Sequence, residues 1–446
     1  MFKNFYVDYQ NKLRTADEAV RVVKSGDWVD YTSSLGKPVL LDKALAKRRD
    51  ELEDVKVRGN LIDGPIEVVE CDESQEHFVY HSWHCSAYER KLCDRGLCYH
   101  IPQVFHNNAA YYEYFLDVNV VMVSVSPMDK HGYFNFSVNT GVAAPIVRMA
   151  DIVIVEVNEF MPKIHGGYDE CIHISEVDYI VEGEHKPFSP RVPSAPSEVD
   201  RKIASNIIPY IVDGATLQLG IGSVPFALGE LIAETDLKDL GMHTELCSDA
   251  YLSLYNSGKL TNRRKNIDKG KGVFGCAIGS AELYEWLDDN HGVAAYPLEY
   301  VNRPSVIAQI DNMVSINACV SVDLYGQVAS ESSGSRHLSG TGGQLDFLIG
   351  ASASRGGKAF ICMESIYKDK DGIAHSRIRP QFNGDIITSP RSQIYFLATE
   401  YGVINLEGRS TWERAELLIS IAHPDFREHL IKEAEKRKIW RRSNKR

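Results

Sequence analysis

Residues 117–126 read DVNVVMVSVS and residues 151–159 read DIVIVEVNE, two runs dominated by valine and isoleucine. Continuous apolar runs of this length are typical of strands that are buried on both faces, as in a parallel sheet covered by helices. The helix-like stretch VAAPIVRMA, residues 142–150, lies between them, and Pro145 is expected in its first turn. A strand, a helix and a second strand in this order predict an α/β architecture.

The same alternation continues in the second half of the chain. Residues 216–222, TLQLGIG, have the pattern of a strand that ends in glycines, and residues 224–234, VPFALGELIAE, that of a helix with an early proline. A short strand, GMHTELCS at 241–248, and a helix, DAYLSLYNSG at 249–258, follow. We therefore predict two open α/β domains with largely parallel sheets.

A proline-rich segment gives the clearest domain boundary. Residues 184–197, EHKPFSPRVPSAPS, contain four prolines, and proline at this density disfavours both helices and central strands. The segment is predicted to be a linker. It separates an N-terminal domain, residues 1–183, from a C-terminal domain, residues 198–446, which carries the candidate nucleophile described below.

Composition narrows the class of protein. The chain has 446 residues, of which 44% are hydrophobic and 25% charged, a composition typical of globular proteins. Its net charge of -12 is unfavourable for general binding of nucleic acid or anionic membranes. No segment approaches the roughly 20 apolar residues of a membrane span. The N-terminus lacks the apolar block of a secretory signal, and the nine cysteines include no CxxC pair. These features predict a cytoplasmic protein with reduced thiols.

Two glycine-rich turns are candidate ligand sites. Residues 219–225, LGIGSVP, join a strand to a helix, whose first N–H groups favour an anion. A tight turn without a ligand is the alternative, because Pro225 stands where a dinucleotide fingerprint has its third glycine. Residues 339–346, SGTGGQLD, can align N–H donors for an oxyanion or a phosphate, and a flexible turn is the alternative there.

Two further segments carry reactive side chains. Glu245, in the sequence HTE just before the helix N-cap Ser248, is predicted at the carboxyl end of a strand, where a carboxylate can act as a base or nucleophile. From spacing alone, a surface glutamate is the simpler interpretation. Residues 81–85, HSWHC, invite a metal interpretation, but no matching pair follows at zinc spacing. A partly buried aromatic cluster is therefore favoured, and no metal site is predicted.

Four separated motifs occur in an order that resembles the acetyl-CoA hydrolase/transferase family. They are LGIGSVP, LGMHTELCSDA, SINACVSVDLYGQVASES and SGTGGQLDF. The resemblance spans essentially the whole chain. The ending IWRRSN and the segment SWHCSAYERK are most similar to the branch of the family that exchanges CoA between butyryl-CoA and acetate. The resemblance implies two α/β domains with the active site in the cleft between them.

The resemblance also implies roles for individual residues. Glu245 occupies the position of the family's nucleophile in its H-[ST]-E motif, which implies a covalent glutamyl-CoA thioester and ping-pong transfer. The residues implied in binding CoA are Gly220, Ile221, Gly222, Ser223, Val224, Val320, Gly340 and Gly343. Acyl-CoA and a short-chain carboxylate are then substrates, with no permanently bound cofactor and no metal. Neither nucleic acid nor membrane is an expected partner, and a homodimer is expected because closed two-fold assemblies are commonest.

Two departures from the family pattern bear on the substrate. Residues 246–250, LCSDA, follow the nucleophile where relatives often carry Met after the glutamate and Gly in place of Ala250, and residues 32–39, TSSLGKPV, match the butyryl branch poorly. A 4-hydroxybutyrate or propionate CoA-transferase and an acyl-CoA hydrolase using the same glutamate therefore remain alternatives. A non-catalytic CoA-binding protein and a dehydrogenase are weaker ones, because the glutamate motif is complete and the dinucleotide fingerprint is not.

Overall fold

The computed structural model describes residues 4–191 and 195–443. The chain forms two compact units: unit 1 comprises residues 1–191 and 273–301, and unit 2 comprises residues 192–272 and 302–446. The domain boundary predicted at the proline-rich segment stays a prediction. Residues 273–301 fall in the predicted C-terminal domain, whereas in the structure they belong to unit 1. Pro193 of the predicted linker and Asn444 of the IWRRSN ending lie outside the described residues.

Residues 4–191 alternate between strands and helices. The strands are β1 (Trp28–Asp30), β2 (Val55–Gly59), β3 (Phe78–Ser82), β4 (Tyr99–His100), β5 (Val120–Val125), β6 (Tyr133–Asn135), β7 (Ile152–Val157), β8 (Cys171–His173) and β9 (Tyr179–Glu182). The α-helices are α1 (Tyr6–Lys12), α2 (Ala16–Ala19), α3 (Val39–Ala46), α4 (Glu67–Glu70), α5 (Ala87–Asp94), α6 (Asn108–Tyr114) and α7 (Thr140–Met149). Short 3₁₀ helices occupy Val20–Val22, Ser34–Gly36, Arg49–Glu51, Phe105–Asn107, Ser137–Asn139 and Ile174–Glu176.

Residues 195–443 continue the same alternation. The strands are β10 (Thr216–Leu219), β11 (Gly241–Cys247), β12 (Gly272–Ala277), β13 (Val293–Ala295), β14 (Met313–Ala318), β15 (Ser321–Asp323), β16 (Val328–Ala329), β17 (Ser332–Ser333), β18 (Arg336–His337), β19 (Lys358–Cys362), β20 (Ile366–Lys368), β21 (Ala374–Ser376), β22 (Ile378–Arg379), β23 (Phe396–Thr399) and β24 (Gly402–Asn405). The α-helices are α8 (Glu198–Ile207), α9 (Ser223–Ala233), α10 (Asp249–Asn256), α11 (Ala281–Leu287), α12 (Leu298–Val301), α13 (Pro304–Ile307), α14 (Gln344–Ala353), α15 (Thr411–Ser420) and α16 (Pro424–Lys436). The 3₁₀ helices here are Ile208–Tyr210 and Arg391–Gln393.

Unit 1 is built on a parallel sheet with the strand order β4-β3-β2-β1-β5-β7-β9. Successive residues of β5 enter different apolar clusters: Val120 and Met122 pack in one, and Val121 and Val123 in the other. Both faces of the central strand are therefore covered, as the valine-rich run predicts.

Helix α7 begins earlier than the sequence predicts. It starts at Thr140, so Pro145 lies in the helix interior and not in its first turn. A proline there removes the backbone hydrogen bond to the carbonyl of Gly141. The prediction was wrong because the 3₁₀ helix Ser137–Asn139 leads directly into α7 and lengthens the helical segment at its N-terminal end.

Within unit 2, the principal sheet has the strand order β11-β10-β14-β19-β23-β24. All neighbouring pairs in this series are parallel except β23 and β24, which are antiparallel. The prediction of largely parallel sheets is confirmed. Within the described ranges, no helix combines the length and apolar character that a membrane crossing requires.

Candidate active site

Glu245 lies near the carboxyl end of β11, as predicted. The strand ends at Cys247, and Ser248 is the N-cap of α10. His243 and Thr244, which precede the glutamate, are fully buried, whereas Glu245 itself is only partly covered. Buried neighbours on the same strand fix the backbone, so the carboxylate is held at a defined position.

The first glycine turn lies at the same edge of the sheet as this glutamate. Strands β10 and β11 are parallel neighbours, with Thr216 paired to Gly241. Their carboxyl ends, which carry the turn and Glu245, therefore face the same edge. Gly222 has a φ of 138°, a backbone conformation that side-chain-bearing residues rarely adopt, and α9 begins at the next residue. The turn therefore presents the start of an eleven-residue helix at the edge that carries Glu245.

Side chains from neighbouring helices anchor the glycine turn. The Tyr251 hydroxyl accepts a hydrogen bond from the Leu219 N–H at 2.8 Å. The Ser223 hydroxyl donates to Asp200 Oδ1 at 2.7 Å. Between these anchors, Ile221 is exposed, with 59% of its surface accessible. The turn is thus held at both ends while its middle remains open to a ligand.

Two donors converge on the Glu245 carboxylate. Asn302 Nδ2 donates to Glu245 Oε2 at 2.7 Å. The Gly343 N–H also donates to this carboxylate. A methyl group added at Gly343 would lie 2.0 Å from Glu245 Oε2, so only glycine lets the backbone approach this closely. The second glycine-rich loop therefore supplies a backbone donor to the glutamate.

Burial raises the pKa of Glu245 to about 7, well above the value of an exposed glutamate. The hydrogen bonds from Asn302 and Gly343 favour the carboxylate and oppose this rise, and the negative charge of Asp346 adds to it. Asp346 Oδ2 lies 3.5 Å from Asn302 Nδ2, so the amide faces both acidic groups. A carboxyl group with this pKa is ionised in a large fraction of molecules at neutral pH yet is poorly solvated, which suits a nucleophile.

Asn302 and Asp346 are site residues that sequence reasoning missed. Asn302 immediately precedes the Arg303–Pro304 pair and belongs to none of the recognised motifs. Asp346 lies within the glycine-rich motif, at the third position of α14, but it was given no role. The only available signal was that Asp346 sits three residues after Gly343, in the first turn of the helix that this loop begins.

The remaining predicted CoA-binding residues are placed as follows. Val224 is buried in the first turn of α9, and Gly340 is buried in the second glycine-rich loop. Val320 lies between β14 and β15; its N–H donates to the Ala329 carbonyl and its own carbonyl accepts from Arg377. Both backbone groups of Val320 therefore have partners within the protein, and its contact with CoA stays a prediction.

The departure at Ala250 is accommodated by helix packing. Ala250 lies in α10 against Gly229 of α9, and a methyl group at Gly229 would come within 2.8 Å of the Ala250 Cβ. The glycine that relatives often carry at position 250 is thus replaced by an alanine whose methyl group fits opposite Gly229. This change affects the contact between the two helices and not the hydrogen bonds of Glu245.

The departure at residues 32–39 forms a partly buried loop in unit 1. Asn139 Nδ2 donates to Thr32 Oγ1 at 2.8 Å, and a methyl group at Gly36 would lie 2.1 Å from the same nitrogen. The buried carboxylate of Glu156 accepts from the N–H groups of Val39 and Leu40, at the start of α3. These hydrogen bonds hold residues 32–39 in one defined backbone conformation.

The segment at residues 81–85 contributes to an aromatic cluster, as predicted. Trp83 is fully buried and packs edge-on against Phe105 and Tyr112. His84 also contacts Phe105, with 5.6 Å between ring centroids.

Comparisons with known proteins agree over the whole chain. The profile of the acetyl-CoA hydrolase/transferase N-terminal domain matches residues 2–192, and that of the corresponding C-terminal domain matches residues 279–434. The butyryl-CoA:acetate CoA-transferase of Anaerostipes caccae is 48% identical over 99% of this chain and 100% of its own length. A protein of Syntrophomonas wolfei named "Probable butyrate:acetyl-CoA coenzyme A-transferase" is 48% identical over 100% of both chains. The crystal structure of RipA from Yersinia pestis superposes with a TM-score of 0.90 at 36% identity, covering 98% of this chain and 100% of that one.

Proposed function

The chain belongs to the acetyl-CoA hydrolase/transferase family, and we propose that it is a CoA-transferase that moves CoA between butyryl-CoA and acetate through a covalent thioester on Glu245. The observation that carries this proposal is the environment of that side chain. This partly covered carboxylate has a raised pKa and accepts hydrogen bonds from Asn302 and from the Gly343 N–H. The 48% identity to a butyryl-CoA:acetate CoA-transferase supports the choice of substrates.

The first half-reaction loads CoA onto the enzyme. The ionised Glu245 attacks the butyryl-CoA carbonyl, the C–S bond breaks, and CoA thiolate leaves a mixed butyryl-glutamyl anhydride. The thiolate then attacks the glutamyl carbonyl carbon and expels butyrate. Glu245 now carries CoA as a thioester, so the energy of the original thioester bond is kept.

The second half-reaction runs in reverse with acetate. Acetate attacks the glutamyl thioester and displaces CoA thiolate, giving an acetyl-glutamyl anhydride. The thiolate attacks the acetyl carbonyl and releases acetyl-CoA and the free Glu245 carboxylate. No proton is gained or lost over the cycle, so these steps require no general base.

The two donors to the Glu245 carboxylate have a defined task in this scheme. Attack on the glutamyl carbonyl places negative charge on a glutamyl oxygen, and Asn302 Nδ2 and the Gly343 N–H already donate to this carboxylate. Donors fixed at that position stabilise the tetrahedral oxyanion without reorganising. The Gly220–Val224 turn, with its exposed helix start, is the proposed contact for an anionic part of CoA.

The pH dependence of transfer follows from the pKa of Glu245. Attack needs the ionised form, and burial raises this pKa to about 7. We expect log(kcat/KM) for butyryl-CoA to fall by one unit per pH unit below about pH 7 and to level off above it. Initial rates measured from pH 5 to pH 9 at constant ionic strength test this. A profile that stays flat down to about pH 5, near the ordinary glutamate pKa, would contradict a buried nucleophile.

Asn302→Ala is expected to lower kcat by about 100-fold, since it removes one oxyanion donor. The same hydrogen bond lowers the pKa of Glu245, so its loss should also move the acid limb of the pH profile to higher pH. Asn206→Ala is the control, because Asn206 donates only to backbone carbonyls at Thr399 and Glu400. A lowered kcat with an unmoved acid limb would mean that Asn302 acts on folding and not on the carboxylate.

The decisive test is to trap the intermediate. The protein is mixed with butyryl-CoA without an acceptor acid, treated with borohydride to reduce a glutamyl thioester to an alcohol, and digested for mass spectrometry. A mass decrease confined to the peptide containing Glu245 is expected. An unmodified peptide, under conditions where CoA binds, would overturn the covalent mechanism. Thiol release without acetate at a rate matching turnover would instead identify a hydrolase.

A further inference from the structure

Three cysteine thiols of unit 1 meet although they are separated in sequence. The Sγ atoms of Cys85, Cys93 and Cys98 all lie within 4.8 Å of one another, and Cys85 Sγ is 3.7 Å from Cys93 Sγ. Cys85 and Cys98 are buried, and Cys93 is partly buried. A ring nitrogen of His100 also lies within 4.8 Å of Cys85 Sγ. The three thiols therefore surround one small volume, and His100 lies beside one of them.

The local structure explains how these residues converge. Cys85 precedes the N-cap of α5, and Cys93 lies in the last turn of that helix. Gly96, with a φ of 75°, reverses the chain after α5 and leads it into the edge strand β4. Cys98 and His100 are two residues apart in this extended segment, so their side chains point to the same side.

We propose that Cys85, Cys93 and Cys98 bind a thiophilic divalent cation of the Zn²⁺ type, with a solvent molecule in the fourth position. Tetrahedral zinc with bonds of about 2.3 Å to sulfur places two sulfurs about 3.8 Å apart. The observed separation of 3.7 Å between Cys85 Sγ and Cys93 Sγ matches that edge of the tetrahedron. Three protein ligands with water in the fourth position are an established coordination of Zn²⁺.

The charge balance also fits a divalent cation. Binding releases three thiol protons, and three thiolates leave a net charge of minus one around Zn²⁺. Without a metal, the thiols lie in the apolar core as neutral groups, since burial disfavours the thiolate. A Cys85–Cys93 disulfide would use two of the three thiols and leave Cys98 without a role.

The position of the site indicates a structural role. Strand β4 has two residues and pairs with β3 only through Tyr99 and His100. A cation bound by Cys93 in α5 and by Cys98, which immediately precedes β4, would tie this short strand to the adjacent helix. The sequence analysis predicted no metal site, so this proposal differs from it. The sequence offers no signal for the site because these cysteines do not follow the spacing of familiar zinc motifs.

The first experiment measures metal content and affinity in the full-length protein. Protein purified under reducing conditions, loaded with Zn²⁺ and dialysed, is expected to retain about one equivalent per chain. Cys93→Ser should weaken Zn²⁺ binding by more than about 100-fold, since even outer-shell substitutions cost 10–100-fold. Cys71→Ser is the matched control, because Cys71 is also partly buried against the same core but lies outside the trio. Equal affinity in Cys93→Ser and the unsubstituted protein would overturn the proposal.

A second measurement uses the unsubstituted protein and so does not depend on whether a variant folds. Thiols are alkylated with N-ethylmaleimide in the presence and absence of Zn²⁺, and each peptide is quantified by mass spectrometry. Protection by Zn²⁺ is expected at all three cysteines of the trio and not at Cys71. Cd²⁺ should produce a thiolate charge-transfer absorption at one equivalent. Unchanged alkylation with Zn²⁺, or a Cys85–Cys93 disulfide that forms equally in its presence, would refute a metal site.

Discussion

Glu245→Gln is expected to lower the rate of CoA transfer by about four orders of magnitude or more, because it removes the covalent nucleophile and keeps the size of the side chain. The amide can still accept a hydrogen bond from Asn302 Nδ2, which lies 2.7 Å from the native carboxylate. Folding and CoA affinity should therefore change little. The measurement is the rate of exchange of labelled acetate into acetyl-CoA.

Glu245→Asp distinguishes the effect of removing the carboxylate from the effect of displacing it. This variant keeps the carboxylate but withdraws it by one methylene from Asn302 and Gly343, and misplacement of about 1 Å commonly costs on the order of 100-fold in rate. It should therefore be slow but still form the thioester that borohydride detects. Exchange by Glu245→Gln within tenfold of the native rate, in a preparation free of native enzyme, would exclude Glu245 as the nucleophile.

Gly343→Ala is expected to lower kcat by at least about 1000-fold, because it affects both donors at once. The added methyl group would lie 2.0 Å from Glu245 Oε2 and 2.0 Å from Asn302 Nδ2, far inside van der Waals contact. Either the loop retreats and withdraws its N–H, or the carboxylate and amide are pushed apart. Stopped-flow measurement of the first half-reaction should show slow formation of the glutamyl thioester.

Gly350→Ala is the matched control for this substitution. Gly350 lies in the same helix, α14, and a methyl group there would lie 2.5 Å from Ile307 Cβ without touching the carboxylate. Overpacking of this kind typically costs 1–3 kcal/mol of stability. Gly350→Ala should therefore melt at a lower temperature but transfer CoA normally when folded. Equal losses of activity in both variants would show that Gly343 acts through packing alone.

Local pattern was enough for several strands and helices. The valine-rich runs predicted β5 and β7, and residues 249–258 were predicted as the helix that forms α10. Pro145 shows the limit of this reasoning, because the helix extends N-terminally through residues with no helical pattern of their own. Contacts made by the folded unit decide such boundaries, and propensity is only a weak guide to them.

We could read the alternation of strands and helices, the family, and Glu245 as the candidate nucleophile from the sequence, because they depend on short-range periodicity and on motifs along the chain. The groups that surround that glutamate became apparent only in the folded chain. Asn302 and Asp346 lie far from Glu245 in sequence and meet it in the folded unit. Likewise, the Cys85–Cys93–Cys98 trio exists only because a turn brings β4 back against α5. Strand order and chain reversals bring distant residues together, and neither leaves a local signature at the residues that meet.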